Sequence, residues 1–132
     1  MRSRERACTI LIVEDQALIA LNVEDVVRSI GGCAVGHAAR LSEALTLIET
    51  TSWDAALLDI KLAGGETAYP AADRLRAKRI PFAFLTAWDG GIDERYPDVP
   101  VLRKPFSEAD LERCLRMLIY EVPHRASEGE AA

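Results

Sequence analysis

Short apolar runs alternate along the chain with segments whose apolar residues recur at helical spacing. That is the signature of βαβ units around a parallel sheet. The first run predicts a strand over roughly Ala7 to Val13. From Gln16 to Ile30, the residues Ile19, Val23, Val26, Val27 and Ile30 repeat as one face of a helix, which Gly31-Gly32 should end. A second strand is expected over Cys33 to His37. Ser42 is the expected cap of a helix carrying Ala44, Leu45 and Ile48 on one face. The run Ala55-Ala56-Leu57-Leu58 closes at Asp59 as strand three. The loop Lys61 to Gly65 leads to a helix ending near Arg79, with Pro70 in its first turn, where a missing N–H costs nothing. Strand four runs from Pro81 to Leu85 and ends at Thr86, and strand five from about Val99 to Arg103. Ser107 should cap a last helix bearing Leu111, Leu115 and Leu118.

Thr86 and Lys104 are only 18 positions apart, and the stretch between them includes Gly90, Gly91, Pro97 and Pro100. A fourth-crossover helix there should be very short or poorly formed. Right-handed crossovers and short connections favour a doubly wound five-stranded α/β sheet of order 2-1-3-4-5, flavodoxin-like. Residues 1–6 are expected as an N-terminal arm, 7–120 as the one folded domain, and 121–132 as a frayed polar tail.

Length and composition narrow the function classes. At 132 residues and 49% hydrophobic, the chain suits one domain with a proper core. Its net charge of -5 leaves no basic footprint for nucleic acid, and Arg2, Arg4 and Arg6 read as a solvated arm. Cys8, Cys33 and Cys114 are odd in number and scattered. They suggest neither a zinc site nor a disulfide framework, and buried reduced thiols are expected. No membrane span or signal peptide is evident, so a cytoplasmic location is expected. His37 and His124 read as a structural and a tail residue, which leaves no built-in histidine phosphodonor.

The chemistry collects at the strand ends. In a parallel α/β sheet the C-terminal ends of the strands share one edge, where ligands bind. Glu14-Asp15 closes strand one, Asp59 strand three, Thr86 strand four, and Lys104-Pro105-Phe106 follows strand five. Singly, each has an ordinary role as turn or surface residue. Together they suit a magnesium site around an aspartate that can carry a phosphoryl group. Magnesium takes one or two carboxylates, here Asp15 and Asp59, and keeps several waters. The Lys61 backbone carbonyl can reach it, and Glu14 can hold a metal-bound water. Asp59 is the nucleophile that would form an acyl phosphate. Lys104, the Thr86 hydroxyl and the backbone N–H groups of Ile60 and Ala87 can balance the transferring charge.

These residues resemble the receiver domain of bacterial two-component response regulators, over about Ala7 to Tyr120. The likeness rests on Leu11-Ile12-Val13-Glu14-Asp15, Leu57-Leu58-Asp59-Ile60-Lys61-Leu62, Phe84-Leu85-Thr86-Ala87 and Lys104-Pro105-Phe106. It implies Asp59 as phospho-acceptor, Asp15 as main metal ligand, Glu14 as accessory acid, Thr86 as switch hydroxyl and Lys104 as the phosphate-pairing lysine. It also implies Mg2+, a histidine kinase or histidine phosphotransfer protein as donor, and a downstream protein target. The chain would act as a stand-alone receiver, a monomer or weak homodimer, and not as an enzyme beyond self-phosphorylation and autodephosphorylation.

The pattern departs from the family in three places. Val101 stands three positions before the lysine, where many receivers carry a switch aromatic, and Trp88 is a candidate to replace it as a moving residue. Phe84-Leu85-Thr86-Ala87-Trp88-Asp89 matches only in part the Phe-Ala-Thr-Gly-hydrophobic-Tyr motif of one receiver subfamily. Ala63-Gly64-Gly65 replaces a proline-bearing loop and should be more mobile. Phosphorylation is expected to draw Thr86 toward Asp59 and reorder Ala87 to Val99, with Trp88 slowing hydrolysis.

The competing readings are a binding-only pseudo-receiver, a haloacid dehalogenase-like phosphohydrolase and a flavodoxin-like nucleotide binder. The second needs an Asp two residues beyond its nucleophile, but Ala17 follows Asp15 at that spacing and Lys61 follows Asp59. The third needs a phosphate cradle where Glu14-Asp15-Gln16 sets negative charge.

Overall fold

The computed structural model describes residues 8–30, 33–87 and 91–121, and the side chains up to residue 119. The strands are β1 (Cys8–Val13), β2 (Cys33–Ala38), β3 (Ala55–Asp59), β4 (Phe82–Thr86) and β5 (Val101–Arg103). The helices are α1 (Ala17–Ser29), α2 (Leu41–Thr50), α3 (Tyr69–Ala77) and α4 (Glu108–Arg116), with a 3-10 turn at Ala63–Gly65 and a π turn at Met117–Glu121. All strand pairings are parallel and the order is β2-β1-β3-β4-β5, as expected.

Alternation along the strands divides the core. Leu11, Val13, Leu58 and Phe84 face one side, under α2 and α3. Ile10, Ile12, Leu57 and Leu85 face the other, under α1 and α4. A fully buried aliphatic side chain contributes about 1.5–3 kcal/mol. Every residue of β3 and β4 is buried, but in β2 only Ala38 is. The two edge strands, β2 and β5, are therefore less secured by burial than β3 and β4.

Gly36 lies at the middle of β2, where the Trp53 ring lies so close that an added Cβ would overlap it. The Trp53 indole cannot swing away cheaply, because its Nε1 donates to the Leu47 carbonyl at 2.9 Å. Gly36→Ala should therefore cost about 1–3 kcal/mol as an overpacking change, read from the denaturant midpoint. A midpoint equal to wild type would rule out this account of the glycine.

Several element ends differ from the sequence expectation. Ser42 does not cap α2, because the helix begins two residues earlier than a Ser42 cap implies, with Arg40 at the cap position and no side-chain cap. Glu43, in the first turn, reaches back instead and accepts from the N–H of Ala39, the residue before the cap position, at 2.9 Å. Ser107 does cap α4, accepting from the Asp110 N–H at 3.0 Å. Pro70 sits in the first turn of α3, and that helix stops with Arg79 in the left-handed region (φ 63°). β5 begins at Val101, not Val99. Pro100 still offers its carbonyl to the Phe84 N–H at 2.9 Å, but it has no N–H for the ladder.

The β4–β5 connection carries no helix among its described residues. Tyr96, 2% exposed, packs where a helix would cover β4. Its ring meets Phe82 and Phe84 edge-on and stacks on Tyr69 at 5.7 Å. Its hydroxyl donates to Asp73, and the guanidinium groups of Arg76 and Arg95 lie 4.8 and 5.3 Å from the ring centre. Burial first, and Asp73 second, push the Tyr96 phenol up to about 12.

The cysteines correct a second expectation. Cys8 and Cys33 are register partners on neighbouring strands, Cα atoms 4.5 Å apart, and form a disulfide. A spacing of 25 residues gives no hint of the pairing, which the sheet alone creates. Cys114 is free and buried, as expected. Gly31-Gly32, the Arg2, Arg4 and Arg6 arm, His124 and the tail beyond residue 121 lie outside the described residues. No helix among the described residues is long and apolar enough to cross a membrane.

Candidate metal and phosphoacceptor site

Strand register sets the site. Val13 pairs with Leu58, which brings Glu14 and Asp15 beside Asp59 at the C-terminal edge of the sheet. Asp59 pairs with Leu85 and Thr86 with Arg103, which brings Thr86 and Lys104 to the same edge. The Lys104 N–H donates to the Thr86 carbonyl at 2.8 Å, and the Lys104–Pro105 peptide is cis.

The Lys104 Nζ lies 2.8 Å from Glu14 Oε1 and 3.1 Å from Asp59 Oδ2. Glu14, Asp15 and Asp59 each present a carboxylate oxygen, all within 4.8 Å of one another. Glu14 is wholly buried, Asp59 nearly so, and Asp15 partly. Glu14 is held from several sides. Its N–H donates to the Ala38 carbonyl at 3.0 Å, its Oε2 accepts from the Gln16 N–H at 3.1 Å, and the His37 Nε2 sits 2.8 Å from its carbonyl.

These charges do not balance. Three carboxylates around one ammonium leave two negative charges in excess when all are ionised. Burial first, and the Glu14 charge second, push the Asp59 carboxyl up to about 7, against the pull of Lys104. For Lys104, burial is the largest influence and pulls its value down, but Glu14 and Asp59 outweigh it and the net direction is up. A hard dication fits this donor set: all-oxygen ligands, an excess of two negative charges, and a carboxylate at its centre that is costly to ionise alone.

The other predicted residues fall around the cluster. Thr86 is buried at the end of β4, and Ala87 is exposed just beyond it. Lys61 is exposed on the loop after Asp59. A Lys61–Thr67 bridge closes that loop around Gly64 and Gly65, both with positive φ, so the two glycines serve a tight turn. Ile60 differs from expectation: its N–H donates to the Leu85 carbonyl at 3.3 Å and is not free for a phosphoryl oxygen. Trp88 lies outside the described residues. Sequence reasoning missed Gln16 and Tyr96. Gln16 gave no signal, since a backbone N–H does the work. Tyr96 gave only one, an aromatic isolated among charged residues and prolines.

Beside Lys104, α1 and α4 frame a groove of about 520 Å³ lined by Ile19, Val23, Phe106 and Leu111 among others. Leu18 and Leu21 of α1 are exposed to 78% and 56%.

No family model matches the chain. It is similar to the curated phyllosphere-induced regulator PhyR of Methylorubrum extorquens, at 29% identity over 120 residues, covering 88% of this chain and 45% of PhyR. The chain spans 45% to 62% of the length of the curated relatives it matches. Among solved structures, SdrG from Sphingomonas melonis Fr1 is 41% identical with a TM-score of 0.76, covering 85% of this chain and 96% of that one. The receiver domain of the sensor histidine kinase PA1611 from Pseudomonas aeruginosa PAO1 is 30% identical with a TM-score of 0.71, covering 86% of this chain and 98% of that one. That structure holds a magnesium ion in its active-site cleft. With this sheet order and these likenesses, the chain belongs to the receiver-domain family of two-component response regulators.

Proposed function

We propose that the chain is a phosphoacceptor in a cytoplasmic two-component or phosphorelay pathway, receiving a phosphoryl group on Asp59 from a histidine kinase or phosphotransfer protein. The observation that carries this reading is the contact of Lys104 with both Glu14 and Asp59, inside a cluster of three acids. Asp15 and Asp59, with the Lys61 carbonyl, would hold a magnesium ion, and Glu14 would position a metal-bound water. When bound, the ion supplies positive charge that favours the ionised, nucleophilic form of Asp59 and screens the incoming phosphate.

An Asp59 carboxylate oxygen attacks phosphorus. The O–P bond forms as the bond from phosphorus to the donor's imidazole nitrogen breaks, and the electron pair leaves with that nitrogen. Lys104 then exchanges its contact with Asp59 for one with a phosphoryl oxygen. Thr86 donates its hydroxyl from the end of β4, and Ala87 its N–H. The groove between α1, which also exposes Leu18 and Leu21, and α4 suits a donor helix brought up to Asp59. The face formed by β4, β5 and α4 would carry the signal to a protein target.

The test is intact mass after incubation with acetyl phosphate, with magnesium or with chelator. One phosphoryl adduct that needs magnesium is the expected result. Metal binding with no adduct, from acetyl phosphate or from histidine kinases, would favour a binding-only pseudo-receiver and sink this reading.

A further inference from the structure

We propose that Cys8 and Cys33 form a reversible thiol–disulfide site, exchanging with small-molecule thiols and disulfides, that clips the edge strand β2 onto the sheet. Four observations carry it. First, the two cysteines are register partners at the start of β1 and β2, so the fold presents their side chains to each other. Second, both are partly exposed, whereas Cys114 is buried and burial pushes its thiol up to about 11. Redox chemistry is thereby confined to one pair.

Third, β2 pairs only with β1 and buries only Ala38, so a covalent tie matters more there than on β3 or β4. Fourth, the far end of β2 touches the acid cluster. The Ala38 carbonyl accepts from the Glu14 N–H, and the His37 Nε2 contacts the Glu14 carbonyl. In a reducing compartment, such as the cytoplasm proposed above, a disulfide between partly exposed cysteines is characteristically transient or sensing.

The reaction balances with a small disulfide as oxidant. One cysteine thiolate attacks a sulfur of the small disulfide, forming a mixed disulfide and releasing one small thiolate. The other cysteine thiolate attacks the protein sulfur of that mixed disulfide, closing Cys8–Cys33 and releasing the second. The pair loses two electrons, the small disulfide gains two, and the two cysteine protons pass to the released thiolates. A thiol in excess runs the sequence backwards. Oxidised, β2 is fixed in register along its whole length. Reduced, it keeps its hydrogen bonds, the Trp53 contact at Gly36 and buried Ala38, and opens from the Cys33 end.

The test uses the full chain equilibrated over a series of reduced-to-oxidised glutathione ratios, quenched by alkylation and read by intact mass and peptide mapping. Backbone amide exchange is followed in parallel. Cys8 and Cys33 should titrate together as a two-electron pair while Cys114 stays unlabelled in the native state. Exchange over residues 34–37 should be at least about tenfold faster in the reduced form, with β3 unchanged. Cys8→Ser and Cys33→Ser should each behave as the reduced form and take up at most one glutathione. Mixed glutathione adducts without the internal disulfide, or equal β2 exchange in both forms, would overturn the proposal. No phosphoryl step enters these readouts, so their failure would leave the phosphoacceptor reading standing, and the reverse holds too.

Discussion

Asp59→Asn should accept no phosphoryl group from acetyl phosphate under conditions that modify wild type, and should be the more stable protein at pH 8. The first effect follows from the proposed nucleophile, since an amide oxygen cannot form the acyl phosphate. The second follows from the metal-free electrostatics. Asp59 is held at about 7 in the folded protein against an ordinary value of 3.8. The folded state therefore binds this proton more tightly than the unfolded state. Its stabilising contribution is full below about pH 4 and is lost as pH rises through 7.

A neutral asparagine has no such loss. The variant should match wild type near pH 4 and gain on it as pH rises, by about 2–4 kcal/mol at pH 8, given roughly 1.4 kcal/mol per pH unit. Saturating magnesium should narrow the gap, because it stabilises the ionised aspartate in wild type alone. Urea denaturation at pH 5 and pH 8, with and without metal, checks this. A variant that gains nothing between those values would remove Asp59 as the strained ionisable group. An adduct that persists in Asp59→Asn would move the acceptor elsewhere.

The parts of the site legible in the sequence are those that local rules fix. Val13 and Leu58 end apolar runs, so the position of Glu14, Asp15 and Asp59 at strand ends follows from periodicity, and their meeting follows from parallel topology. Lys104 is placed by the same logic. What stayed hidden depends on contacts between distant segments. The Cys8–Cys33 bond exists because β1 and β2 align in register, which neither segment encodes alone.

Tyr96 lies in a stretch without period, and its burial is set by the space over Phe82 and Phe84 that no helix among the described residues fills. Gln16 and His37 hold Glu14 through backbone groups or by contact with a carbonyl, so their residue type says little about that role. Ser42 misled because a serine before an apolar run fits a cap, but the cap position falls two residues earlier, at Arg40, where the Glu43 carboxylate reaches back to the Ala39 N–H. Prolines 81 and 100 shortened the strands for one reason: each lends a carbonyl to its neighbour and has no N–H to return.

Lys104→Met should be destabilised at pH 8 by about 3–5 kcal/mol, the range for removing one partner of a buried charged network. Lys104 is 12% exposed at its side chain and is the cation within contact of both the fully buried Glu14 and Asp59. Without it, two carboxylates must either stay charged in a desolvated site or take up protons. Protonation becomes easier as pH falls, so the deficit should shrink markedly between pH 8 and pH 5. A loss of packing alone would be nearly the same at both values, because methionine keeps most of the lysine stem's volume.

Removing one positive charge leaves the acid cluster more negative, so magnesium should bind the variant more tightly than wild type and raise its melting temperature by more. The variant should nevertheless retain less phosphoryl adduct, since the cation proposed to pair with a phosphoryl oxygen is gone. Metal titration by calorimetry and melting curves at both pH values would settle the point. A pH-independent deficit, or weaker magnesium binding than in wild type, would show that Lys104 braces the fold by packing and is not the counter-ion that the geometry of Glu14, Asp59 and its own ammonium describes.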